Sequence, residues 1–352
     1  MTSPTPSAAP RTGGGAPPFH GSRRITRRRL LRGGGAAVAG TALFGLVGCG
    51  GDAGGSGDAS GGANGRTRTI RHGLGETEVP ENPGRVVTLY SATDVALAVG
   101  VEPLAVDAAS FQARYLEGRL GGAGNIGEAF EPNFEKLAVL EPDLILGLDV
   151  VVEGVYDKLS EIAPTVGVRF GTRSGEWKRY NRGYAEALGR TAEFERAMSD
   201  YEAKAEGFRE KMGDRLGKTE VAVMRASPEN LRFDLPNIFI GDVVYNDAGL
   251  ALPARLEKPA RDPENYTLEI SREKFGLAEG SDALFVWNVT GVSAEKDREE
   301  IEEITTDPLF RRLDVVGGGR VYVMGDHWFS ESVLGAGMVL DDLEKHLTGG
   351  EG

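Results

Sequence analysis

Apolar residues along 191–216 recur at spacings of three and four. They are Phe194, Ala197, Met198, Tyr201, Ala205, Phe208 and Met212, with Glu195, Arg196, Glu202, Lys204, Glu206, Glu210 and Lys211 between them. That period predicts one long amphipathic helix, capped by Thr191 and stopped at Gly213 or Gly217. At ~1.5 Å per residue it would run about 35–40 Å, the width of a small domain. A helix of this kind is either a surface helix of one domain or a strut between two bodies. On its N-terminal side short β-branched runs alternate with helical periods. Strands are predicted at 85–90, 103–106, 143–148 and 165–168, and helices at 93–99, 134–140, 156–162 and 177–188. On its C-terminal side the pattern restarts, with strands at 220–224, 284–287 and 320–323 and helical stretches at 243–246, 271–277, 299–304 and 337–347. Strands alternating with helices at this spacing predict an α/β fold with mostly parallel sheets covered on both faces.

An internal repeat decides between surface helix and strut. Asn133-Phe134-Glu135-Lys136-Leu137 leads through Glu141-Pro142 to the apolar run Leu144-Ile145-Leu146. Ser271-Arg272-Glu273-Lys274-Phe275 leads through Glu279-Gly280 to Ala283-Leu284-Phe285. Each copy is a polar cap, a Glu-Lys pair in the first turn, a short helix, an acidic turn and a buried strand, and one copy falls on each side of the long helix. The chain therefore reads as two Rossmann-like lobes, 67–190 and 217–347, bridged by the single helix 191–216, with 348–352 as a tail. A cleft between such lobes is the natural ligand site. A bridge made of one helix offers no obvious hinge, so small lobe movement on ligand binding is expected.

The first 48 residues are not part of this pattern. Arg23, Arg24, Arg27, Arg28, Arg29 and Arg32 precede a short Gly/Ala-rich apolar run, 33–48, too short to span a bilayer. The run Thr26-Arg27-Arg28-Arg29-Leu30-Leu31-Arg32 resembles a twin-arginine export motif, and Leu46-Val47-Gly48-Cys49 resembles a lipobox. Cys49 is the only cysteine, so no disulfide can form within the chain, and its place after an apolar run and before a polar linker makes it a lipidation site. Residues 49–66, mostly Gly, Ser, Ala and Asp, form a flexible tether. The leader holds seven arginines and no acid, so its removal takes the formal charge from −13 to −20. Such acidity disfavours nucleic acid and anionic lipid as direct partners and favours a partner with a basic face.

Several segments resemble the substrate-binding proteins of iron-siderophore and vitamin B12 ABC importers. They are His72-Gly73-Leu74-Gly75-Glu76-Thr77-Glu78-Val79-Pro80 with Pro83-Gly84-Arg85-Val86-Val87, Pro132-Asn133-Phe134-Glu135 with Pro142-Asp143, Ile270-Ser271-Arg272-Glu273, and Asp307-Pro308-Leu309-Phe310 with Gly319-Arg320-Val321-Tyr322. The resemblance runs from about residue 68 to residue 347. It implies two lobes on one long helix, a ferric siderophore between them, and haem or cobalamin as the alternative ligands of the same fold. It also implies a monomer, lipid-anchored at Cys49 on the extracellular face of the membrane, that docks on an ABC permease dimer. Glu135 and Glu273 match acids thought to dock on permease arginines; either can also simply complement a helix dipole.

For the ligand, aromatic walls with one or two arginines suit an oxygen-rich metal centre on a partly apolar body. Arg225 matches a position often held by a ligand-contacting arginine in that family. Trp287, Trp328 and Tyr90 lie at predicted strand ends and Phe130 in the loop before Glu135, where open α/β sheets place ligands; each is also a plausible packing residue. Direct metal binding is disfavoured, because His72 and His346 fall in peripheral segments and leave His327 alone, so the metal should arrive already chelated and no cofactor is expected. A cell-surface enzyme using the same cleft is the alternative of another class. Against it, Gly335-Ala336-Gly337 is no phosphate loop, and Ser330 with His327 lacks a strand-turn-helix elbow.

Overall fold

The computed structural model describes residues 66–262 and 265–349. The export signal, Cys49 and nearly all of the tether, expected at 1–66, lie outside the described residues. A hairpin opens the described chain, β1 (Thr67–His72) against β2 (Gly75–Pro80). The first-lobe sheet follows, formed by β3 (Val86–Thr88), β4 (Ala105–Val106), β5 (Gly124–Asn125), β6 (Leu144–Leu148) and β7 (Thr165–Val168). Its order is β5-β4-β3-β6-β7 and every pairing is parallel. Helices α1 (Ala92–Ala98), α2 (Phe134–Leu140), α3 (Tyr156–Ile162) and α4 (Glu176–Leu188) connect and cover it. Strands such as β6, buried at every position, need continuous apolar sequence because both faces are covered.

The long helix is α5 (Thr191–Met212), extended by a 3₁₀ turn, Gly213–Arg215. Thr191 is its first helical residue and not its cap: Arg190 holds the cap position and supplies no side-chain bond. Phe194, Met198, Tyr201, Ala205, Phe208 and Met212 are buried along one stripe. The second-lobe sheet follows, with β8 (Val221–Arg225), β9 (Arg232–Asp234), β10 (Thr267–Glu269), β11 (Ala283–Trp287) and β12 (Val321–Val323), in the order β10-β9-β8-β11-β12. Only β8, β11 and β12 pair in parallel; β9 and β10 add antiparallel, so this sheet is mixed. Helix α6 (Ala294–Thr305) covers its outer face and α7 (Val333–Leu347) closes the chain.

The second copy of the repeat departs from the first in one respect. Residues Arg272–Ala278 form a 3₁₀ helix where α2 is an α-helix. Asn133 caps α2 by accepting the Lys136 N–H at 2.9 Å, whereas Ser271 makes no such bond and turns its hydroxyl to Glu273. Gly276 also stands where α2 has Ala138, which weakens the helical turn further.

The described residues belong to one compact unit. One hydrophobic core runs from the first lobe through α4, α5 and α7 to the inner face of the second sheet at Val221, Val223, Phe285 and Trp287, while Met224, Phe233, Phe275, Leu284 and Ile301 form a second core on the outer face. The chain also crosses between lobes a second time. A strap, 325–332, leaves β12 and delivers α7 onto α5 and α1. No helix among the described residues is long and apolar enough to cross a membrane.

Candidate functional site

The C-terminal ends of β3, β4, β8 and β11 and the strap after β12 converge on one seam between the lobes. Trp287 ends β11, 2% exposed, and its indole N–H donates to Asp234 Oδ2 at 2.7 Å. Asp234, fully buried on β9, also accepts from Arg232 Nε at 2.9 Å. The indole ring faces two guanidinium groups, Arg225 at 5.5 Å and Arg232 at 5.7 Å. Its other neighbour is Phe329 of the strap, centroids 6.1 Å apart, and Phe329 meets Tyr90 edge-on at 5.7 Å. A Tyr90–Phe329–Trp287 series thus links the first lobe to the second, with two cations on its second-lobe side.

Each end of the seam is held by hydrogen bonds. Arg225 donates from Nε to Asn288 Oδ1 at 3.2 Å and from Nη2 to the Val289 carbonyl at 2.8 Å. Burial, with the like charge of Arg232, lowers its pKa, but an arginine so held stays cationic. Arg232 makes no hydrogen bond beyond Asp234 among the described residues, so its terminal nitrogens remain available. Tyr90 sits in the left-handed region, φ 59°, with its N–H donated to Asp107 Oδ2 at 2.8 Å. Buried Asp107 also accepts from the Ala109 and Ser110 N–H groups, which fixes the loop.

Two acids lie beneath the seam. Asp94 of α1 accepts the Ser330 hydroxyl at 2.7 Å and is bonded by Tyr115; burial pushes its carboxyl up to about 7. Glu331, at φ 51°, is pushed up to about 7 by burial as well, and its Oε2 accepts from Tyr180 at 3.4 Å. Ser332 caps α7, accepting the Gly335 N–H.

The structure brings Arg225, Trp287 and Tyr90 together in one series of contacts. Trp328 is 1% exposed, stacks on Phe285 at 5.3 Å, donates to Asp342 at 2.8 Å, and lines the same recess as Trp287 and Phe329. Phe130 is 45% exposed at the tip of a small hairpin, Gly127–Glu128 with Glu131–Pro132, and makes no ring contact with the seam. Arg232, Phe329, Tyr180 and Glu331 were missed. Arg232 lies on an antiparallel strand invisible to a βαβ reading, and Glu331 is aimed by a backbone angle that no residue type announces.

Glu135 and Glu273 are exposed in the first turns of the segments preceding β6 and β11. The Ser271 hydroxyl and its own backbone N–H hold the Glu273 carboxyl below its usual range. A cavity of about 350 Å³ lies beside Glu273, lined by Asn230, Leu231, Ile270 and Ile304, away from the aromatic seam. The three described histidines are dispersed: His72 contacts Thr77, His327 contacts Asp342, and His346 stacks on Tyr322. Ser330 and His327 engage different carboxylates, Asp94 and Asp342. No group of three or more potential metal ligands occurs among the described residues.

A sequence model of the family described as periplasmic binding protein matches residues 86–327. A protein of Bacillus subtilis named probable siderophore-binding lipoprotein YfiY is 28% identical over 291 residues, covering 80% of this chain and 88% of its own length. The achromobactin-binding periplasmic protein of Dickeya dadantii is 27% identical, over 78% of this chain and 90% of its own. Among solved structures, Staphylococcus aureus SirA complexed with staphyloferrin B superposes with a TM-score of 0.68 at 27% identity, covering 80% of this chain and 98% of that one.

Proposed function

Because the chain belongs to the periplasmic binding protein family, we propose that it is the substrate-binding protein of an ABC importer, capturing a ferric siderophore between its lobes and handing it to the permease. The observation that carries this reading is the seam itself. Arg225 and Arg232 lie against Trp287 on one lobe, and Phe329 continues the aromatic surface to Tyr90 on the other. Guanidinium groups suit the anionic oxygens of a chelated ferric ion, and aromatic faces suit the organic body around it. The ligands in the names of the relatives support the same chemistry.

Glu135 and Glu273 dock on basic residues of the two permease subunits, one acid per lobe. The protein acts as a monomer, exported by the twin-arginine route and held at the outer face of the cell membrane by lipid on Cys49.

The test is a titration of purified protein with ferric trihydroxamate, ferric citrate-type and ferric catecholate complexes, haem and cobalamin, followed by tryptophan quenching. A ferric complex should saturate below about 1 µM, equivalent to about −8 kcal/mol. Saturation by haem or cobalamin alone reassigns the ligand, and no saturation by any of them overturns the receptor reading.

A further inference from the structure

Three non-glycine residues have positive φ among the described residues: Glu141, Tyr90 and Glu331. Glu141 is the left-handed C-cap of α2. The other two both face the seam, and sparsely populated backbone held at a cleft is where function is to be sought. At Glu331 the main chain is clamped on every side. Asn181 donates to the Glu331 carbonyl at 3.0 Å and accepts the Val333 N–H at 3.0 Å, while Ser330 and Ser332 are bonded to Asp94 and to α7. The flanking side chains are thus turned away, and only the glutamate is aimed between the lobes.

Its carboxylate lines a recess shared with Arg232, Phe239, Trp287, Trp328 and Phe329. The recess measures about 20 Å³, and one water needs roughly 10–15 Å³. It holds one small polar group and not a metal complex. Within it the carboxylate has a single weak partner, the Tyr180 hydroxyl at 3.4 Å, and Oε1 has none among the described residues. Asp94 beside it is saturated by hydroxyl groups and Asp234 by Arg232 and Trp287. Arg232 acts on Glu331 through its charge alone, with no hydrogen bond between them among the described residues, so Glu331 keeps acceptor capacity for a ligand, and the aromatic faces of Trp287 and Phe329 suit a cation.

We propose that Glu331 is a specificity-determining residue of the cleft, selecting ferric complexes that carry a protonated amine arm beside their oxygen-rich centre. The oxygens meet Arg225 and Arg232; the ammonium enters the recess and pairs with Glu331. This rests on the ferric-siderophore reading. The groups that face Glu331 are Tyr180 and Tyr184 of α4, Tyr90 after β3, Asp94 of α1 and Arg232 of β9. Burial pushes the carboxyl up to about 7, against the opposing pull of the Tyr180 hydroxyl and of Arg232. An ammonium that pairs with it favours the charged carboxylate.

The experiment uses matched probes within the ligand panel: ferrioxamine B, which ends in a primary amine, against its N-acetyl derivative, and an amine-bearing ferric carboxylate complex against its acetylated form. Affinities are measured on the wild type and on Glu331→Gln, whose folding is checked by thermal melting. The wild type should bind the amine form at least about tenfold more tightly, and Glu331→Gln should shrink that preference to about twofold while leaving the acetylated form unaffected. Equal affinity of both forms on the wild type overturns the proposal and leaves the receptor reading intact, as does a preference that survives in Glu331→Gln. If every ferric complex that binds lacks an amine, the proposal falls alone; if none binds, both fall.

Discussion

Trp287 keeps its N–H on Asp234 while its ring carries two guanidinium groups, so one side chain joins the core to the seam. Trp287→Phe leaves Asp234 with Arg232 as its remaining partner, and an under-satisfied buried carboxylate costs about 1–3 kcal/mol; a urea titration should register that loss together with weaker ligand binding. Arg225→Ala should weaken the ferric complex at least about tenfold with little change in melting temperature, since the residue is bonded to one side chain and one carbonyl. Asp94 gives a pH signature. Its carboxyl is raised from an ordinary 3.8 to about 7, so the stability it contributes is full below pH 4 and is lost as pH rises to about 7. The stability of Asp94→Asn relative to the wild type should therefore climb between pH 4 and 7, and parallel curves would remove Asp94 as the cause. The positions of Arg225, Trp287 and Tyr90 at or just past strand ends were legible because apolar runs mark the strands. Glu331 was not, because its position depends on the handedness of one backbone residue and on Asn181, 150 positions away.

The long helix was legible at the level of elements because its period is sustained over 22 residues. Its stripe is load on both lobes: Phe208 is fully buried in the shared core, and Phe208→Ala should cost about 3–5 kcal/mol, visible as a lowered midpoint in denaturant. The strap was not legible. Residues 325–332 have no period, and they become an element only through partners far off in sequence, Arg114 on Asp326, Asp94 on Ser330 and Asn181 on Glu331. The first hairpin escaped for a related reason. Its strands are polar, and Arg68 secures them to the Pro80 carbonyl at 2.7 Å and to the Ala187 carbonyl at the end of α4. The 3₁₀ form of 272–278 turned on a missing cap and one glycine, differences too small for a repeat comparison to weigh.

For the whole molecule, two lobes share one core, one long helix and one strap. The lobes should shift by only a few ångströms when ligand binds; spin labels on α2 and α6 reporting a wide closure would contradict this. The docking role proposed for Glu135 and Glu273 requires both acids, so Glu135→Lys with Glu273→Lys should abolish uptake at unchanged ligand affinity, and intact uptake would end that assignment. The central claim is that the ligand lies in the seam. Crystals grown with the ferric complex that saturates the protein, measured at the iron absorption edge, should place one anomalous peak between Tyr90 and Phe329 on one side and Arg225 and Arg232 on the other. A peak in the cavity beside Glu273, or anywhere else outside the seam, would contradict the account.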